Sequence, residues 1–274
     1  MTMKRMKPPM LYLLPLLFIL GINQLVHVFG LVDVFVISNY MILTLYALFL
    51  GRATEPLITD SDTTTHPTGL KYFFLGWFIG LSIFSTLMVV LTYFEIVHLS
   101  PGQASITYFL KYFPVLGIVA ALEEYFFRHI LILRAKDIGY GRNQTFSLSL
   151  ISYIIFHTGL STILFGYSIS AIFYVLTYTL LGTLLLMVRF HTSNLWGGLG
   201  LNYSLLTIST FLVSYDSTSG HQYALMLITL QRNQVYAFPT GELLLSSYFL
   251  AVLFIVIIVL SYLFRKNKKE NDPC

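Results

Sequence analysis

A helix needs about 20 mostly apolar residues to cross the hydrocarbon of a bilayer. This chain of 274 residues carries eight such runs, near residues 9–29, 31–50, 71–94, 107–135, 144–165, 168–190, 194–215 and 243–264. Only 10% of its residues are charged, against about 25% in soluble domains. A soluble fold would leave much of that apolar surface facing water. A cytosolic enzyme, a nucleic-acid binder and a disordered chain are therefore excluded, and the expected fold class is all-α: a polytopic membrane bundle of about eight transmembrane helices, built as a single membrane domain over residues 1–274. The start, MTMKRMKPPMLYLLPLLFILG, has the basic flank of a secretory signal but no small-residue cleavage site, and reads as a retained first helix.

An even number of spans puts both termini on one side, and the cations say which. Lys4, Arg5 and Lys7, then Arg52 and Lys71, then Arg134, Lys136 and Arg142, then Arg189, and finally Arg265, Lys266, Lys268 and Lys269 all fall on the terminal side. Only Lys111 and Arg232 fall opposite. The positive-inside bias makes both termini cytoplasmic, with residues 265–274 a basic cytoplasmic tail. These anchors use up the excess of +4, and no basic patch remains for nucleic acid. Residues 51–70 read as a cytoplasmic loop and 216–242 as the longest external one, whose YALMLITL stretch reads as a short helix on the membrane surface. The one cysteine, Cys274, supplies no disulfide framework, thiolate metal cage or buried nucleophile.

The fourth span reads VAALEEYFFRHILILRA, which puts Glu123, Glu124 and Arg128 in hydrocarbon. Each such charge costs about 2.5–3.5 kcal/mol on insertion scales, so three within six residues require neutralisation or a function. Glu124 and Arg128 are four apart and can pair on a helix. Glu123 points about 100° away from Glu124 and needs another partner. A purely architectural clamp leaves that second carboxylate unexplained.

Depth suggests the partners. Glu123 lies about 16 Å from the cytoplasmic end of its span, His157 about 21 Å from the start of the fifth and Asn202 about 14 Å from that of the seventh, at 1.5 Å per residue. The three can converge on one pocket within the bilayer. The bland alternatives are a packing role for His157 and helix glue for Asn202. His129, beside Arg128, reads as structural, and His27, His66, His98, His191 and His221 as solvated residues near span ends or in loops. No H-E-x-x-H zinc motif is present, no complete nucleophile elbow, and no acids on two spans that form an aspartyl dyad. Glutamate plus histidine can activate water, with neighbouring donors holding the oxyanion.

These residues resemble the motifs of the CAAX prenyl-endopeptidase and bacteriocin-processing peptidases, the CPBP or Abi family. Its E-E-x-x-x-R is present as Glu123-Glu124-Tyr-Phe-Phe-Arg128, and its F-x-x-x-H is similar to Tyr153-Ile-Ile-Phe-His157. The third motif, H-x-x-x-N or H-x-x-x-D after a Leu-Trp pair, is matched by Leu195-Trp196, but Asn202 and Leu206 occupy its two slots. The resemblance spans about residues 107–210, the expected catalytic core. It implies a multi-pass cell-membrane endopeptidase that hydrolyses a peptide or membrane-protein substrate with glutamate-activated water, in peptide or bacteriocin processing or self-immunity. Glu123 is then the base, His157 orients the water or stabilises charge, Asn202 is the remaining oxyanion donor, and Glu124 with Arg128 orders the helix; no metal or other cofactor is implied. The rival expectation is a weakened or inactive scaffold or immunity protein, holding a peptide or a membrane-protein partner in the same cavity. A solute or proton transporter would use the same buried acids, but the chain lacks internal repeats and paired broken spans.

Overall fold

The computed structural model describes residues 39–45, 68–102, 105–192, 194–215, 226–230 and 246–271. The first expected span, most of the second and residues 51–67 lie outside the described residues. What is described is mostly helical. Residues 39–45 form a short helical segment. It is followed by α1 (Thr68–Tyr93), α2 (Ile106–Glu123), a π-helical segment (Glu124–Ile130), α3 (Leu131–Asp137), α4 (Arg142–Phe165), α5 (Ile169–Thr192), α6 (Leu195–Thr207), a second π-helical segment (Ile208–Leu212) and α7 (Ser247–Asn271).

Two of these helices, over Gly69–Tyr93 and Ile169–Thr192, are long and apolar enough to cross a bilayer. Their outward faces carry large apolar side chains, including Phe74, Phe78 and Val89 on α1 and Ile172 and Leu176 on α5. Ile255 and Ile258 continue that surface on α7. Inward, one apolar core joins α1, α5, α6 and α7 through Leu87, Leu91, Leu185, Leu201 and Phe249. A second gathers Phe126, Phe127, Tyr153 and Phe156 around the π-helical segment, with Leu43 from the short helix.

Local chemistry marks the helix ends. The Ser105 hydroxyl accepts from the Tyr108 amide at 3.3 Å, and the Ser246 hydroxyl from the Phe249 amide at 3.2 Å. Each satisfies a donor that has no partner within its own helix. The Asn194 side chain does the same at the start of α6, accepting from the Trp196 amide at 2.7 Å. Small residues then let α1 and α6 approach closely. A Cβ on Gly200 would overlap the Phe73 carbonyl, and one on Gly76 the Gly197 carbonyl. Small residues at membrane-helix interfaces allow this close packing.

The structure departs from the sequence reading in two places. Met226–Leu230, within the YALMLITL stretch read as a surface helix, is a strand, β3. It pairs antiparallel with β1 (Val97–Pro101), Val97 opposite Leu230, and parallel with β2 (Val213–Tyr215), Val213 opposite Met226. With a partner on each side, the segment gains backbone hydrogen bonds that an isolated short helix lacks, which overrides local propensity. The expected seventh span changes character for the same reason, passing from α6 through π-helical residues into β2. The last helix, α7, runs on to Asn271 through the basic residues at its end. Lys and Arg are good helix formers, and cations are favourable at a helix C-terminus.

Candidate active site

Glu123 ends α2 and Glu124 opens the π-helical segment that runs to Ile130. A π-helical stretch breaks the regular ladder of α-helical hydrogen bonds, and such bulges are frequent at functional sites. Neighbouring side chains supply donors to carbonyls along this one. The Ser149 hydroxyl donates to the Phe127 carbonyl at 2.5 Å, and Arg189 Nε donates to the Arg128 carbonyl at 3.2 Å. α4 and α5 thus hold the segment that carries both glutamates.

The two carboxylates face different surroundings. Glu124 and Arg128, both buried, form an ion pair at 3.2 Å. The Arg128 guanidinium also lies over the Tyr153 ring, 4.0 Å from its centre, a desolvated cation–π contact. Gly198 of α6 leaves room for the pair, because a Cβ there would stand 2.5 Å from Glu124 Oε2.

Glu123 is only 2% exposed, and polar side chains from three other elements surround it. Tyr40, on the short helix at 39–45, donates its hydroxyl to Oε1 at 2.8 Å. Asn202 Nδ2 of α6 donates to Oε2 at 3.2 Å. Tyr153 of α4 donates to the same oxygen at 3.4 Å. His157, one turn beyond Tyr153, brings Nε2 to 3.7 Å from Oε1, longer than a good hydrogen bond. Its Nδ1 lies 3.4 Å from the Tyr174 hydroxyl, and its ring stacks on Tyr178 at 3.8 Å between centres. The imidazole is therefore fixed in plane and depth by two tyrosines of α5.

Glu123, His157 and Asn202 are thus brought together from α2, α4 and α6, and Glu124 pairs with Arg128 beside them. Leu206 lies one helical turn beyond Asn202 and brings no polar group. His129 is buried and stacks against Tyr125 with centres 5.4 Å apart. His98 lies on β1 and His191 near the end of α5, both exposed, while His27, His66 and His221 lie outside the described residues.

Sequence reasoning missed Tyr40, Tyr174 and Tyr178, and took Tyr153 only as a replacement for Phe. The available signal was a tyrosine hydroxyl in mid-span, away from the membrane interfaces that Tyr favours. Among the described residues, no group of three or more His, Cys, Asp or Glu side chains is placed to share a metal ion.

No family model matches the chain, and neither a curated protein nor a solved structure does. The functional reading therefore rests on the site itself.

Proposed function

We propose that the protein is a multi-pass membrane endopeptidase in which Glu123 activates water, with about eight spans and both termini in the cytoplasm. The observation that carries this reading is the convergence on one buried carboxylate of an imidazole at 3.7 Å and an amide at 3.2 Å, each from a different helix. A carboxylate in an apolar span is costly to retain, and among the described residues Glu123 forms no ion pair with a Lys or Arg, Arg128 being paired with Glu124.

Water entering between Glu123 and His157 would give a proton to the carboxylate while its oxygen attacks the scissile carbonyl carbon. The carbonyl oxygen becomes the tetrahedral oxyanion, which the Asn202 amide and His157 can stabilise by donation. Collapse breaks the C–N bond, and Glu123 returns the proton to the departing amine. The resemblance of the E-E-x-x-x-R and x-x-x-x-H segments to CPBP peptidases supports the same roles. The substrate class is a peptide or a membrane-protein segment that reaches the site within the bilayer.

A second reading is favoured by one feature of the same geometry. The Asn202 amide is engaged by Glu123 itself, and Tyr40 and Tyr153 donate to that carboxylate as well. These donors occupy lone pairs through which the carboxylate would otherwise accept a water proton. A weakened enzyme, or a scaffold that holds a partner helix, fits that saturation. Comparing peptide termini in membranes of cells carrying wild type or Glu123→Gln separates the readings. The peptidase produces termini that vanish in the variant. Identical termini, with loss of a co-purifying membrane partner, would establish the scaffold.

A further inference from the structure

His157 serves its site as a donor or as an acceptor, according to which ring nitrogen carries its proton. In a neutral imidazole one nitrogen is N–H and the other accepts, and the partner of one fixes the role of the other. The two nitrogens of His157 face unlike surroundings. Nδ1 lies 3.4 Å from the Tyr174 hydroxyl. Nε2 lies 3.7 Å from Glu123 Oε1 and makes no hydrogen bond among the described residues.

The carboxylate sets the direction of these contacts. Glu123 accepts from Tyr40, Tyr153 and Asn202, as an ionised carboxylate does, having no proton to give. A bare Nε2 lone pair facing that oxygen would be repelled, whereas an Nε2–H is attracted to it. Nδ1 is then the acceptor, and the Tyr174 O–H is the donor placed to fill it. Tyr174 keeps lone pairs for a donor of its own, and Tyr178, one turn on along α5, is hydrogen-bonded to it. The two phenol rings stack with centres 4.5 Å apart, and Tyr178 stacks on the imidazole at 3.8 Å. In a low-dielectric interior, hydrogen bonds that all point toward one anion strengthen one another.

We propose that Tyr174 is a positioning residue that holds His157 in its Nε2–H tautomer, making the imidazole a hydrogen-bond donor to the attacking water and the oxyanion and leaving proton abstraction to Glu123. The catalytic half of this assignment rests on the peptidase reading, and the tautomer does not. Tyr174 touches no reacting atom. Its hydroxyl acts only through the ring.

The test reconstitutes the full chain, carrying isotope-labelled histidine, in proteoliposomes for magic-angle-spinning NMR, in which ring carbon and nitrogen shifts distinguish the two neutral tautomers. His157→Gln identifies the signal among the seven histidines. The same preparations are assayed for kcat and KM on the best-cleaved member of an internally quenched transmembrane-peptide library. Wild type should show the Nε2–H tautomer alone. Tyr174→Phe keeps the ring and removes the hydroxyl; it should give both tautomers and lower kcat about tenfold, the weight of one neutral hydrogen bond, at unchanged KM. Tyr262→Phe, at an exposed position on α7, should change neither. A wild-type ring in the Nδ1–H tautomer or doubly protonated would overturn the proposal. So would a Tyr174→Phe variant that loses thermal stability and activity together while the tautomer stays. The stated tautomer, lost in Tyr174→Phe, in a chain that cleaves no peptide would keep the positioning role of Tyr174 and remove the peptidase reading.

Discussion

Glu123 and Glu124 are neighbours in sequence, equally buried, and held by opposite means. Glu124 has a full positive charge at 3.2 Å, whereas Glu123 is surrounded by the neutral donors Tyr40, Asn202 and Tyr153 and an imidazole at 3.7 Å. An ion pair in a desolvated site suits a group that must stay as it is. Neutral donors leave a carboxylate able to gain and lose a proton without stranding a cation. Tyr153 joins the two environments, its ring under Arg128 and its hydroxyl on Glu123. On the proposed reading, the difference gives architecture to one carboxylate and chemistry to the other.

The largest way to break this contrast is to remove the cation. Arg128→Ala strands Glu124 without its partner, and breaking a buried pair costs about 3–5 kcal/mol. Folded protein recovered in detergent should fall sharply, as scored by size-exclusion chromatography. A normal yield would mean that Glu124 is neutral and that the pair carries little stability.

Asn202→Ala comes next and removes a hydrogen bond to Glu123. If Asn202 is an oxyanion donor, turnover should fall by about 10² or more with the fold retained. Unchanged processing would make Asn202 helix glue. Installing the third motif of the CPBP peptidases that the chain resembles, with Asn202→His and Leu206→Asn, should preserve or raise turnover.

A smaller effect sharpens the architectural side. Gly198→Ala forces a methyl group to within 2.5 Å of Glu124 Oε2, and overpacking of this kind costs about 1–3 kcal/mol. It should lower thermal stability while sparing the Glu123 side of the site. Smallest is Tyr40→Phe, which deletes one hydrogen bond to Glu123 at a cost of about 1.5 kcal/mol. Because Asn202 and Tyr153 still donate, the fold should survive. With one more lone pair of Glu123 open to water, an active enzyme should hold or gain turnover. A drop in turnover with normal stability would place Tyr40 among the groups that position the base.

Membrane physics makes the polar half of this site legible in the amino-acid sequence. Glu123, Glu124, Arg128, His157 and Asn202 stand out once their segments are read as spans, because hydrocarbon would penalise each of them and helical rise would put them at compatible depths. The tyrosines carry only the weaker mark of a hydroxyl in mid-span. Among 19 tyrosines and 23 phenylalanines, a Tyr ring fits an apolar span as well as a Phe ring, and only tertiary packing turns a hydroxyl toward Glu123. The small sheet is hidden for a related reason. β3 finds its partners at residues 97–101 and 213–215, and pairing over such separations leaves no local pattern in the sequence. The π-helical geometry of EYFFRHI is equally silent, because its charges mark a site but not the turn that carries them, and its stabilising contacts come from Ser149 and Arg189 on other helices.

The most direct test of the central claim measures both glutamates in one experiment, with Glu123→Gln and Glu124→Gln purified in parallel and followed by thermal unfolding and by peptide cleavage in proteoliposomes. Glu123→Gln should unfold at the wild-type temperature and cleave nothing, whereas Glu124→Gln should lose folded protein, because Arg128 is left buried without its counter-charge. Cleavage that persists in Glu123→Gln, or equal loss of folding in both variants, would contradict the division of roles between the two carboxylates.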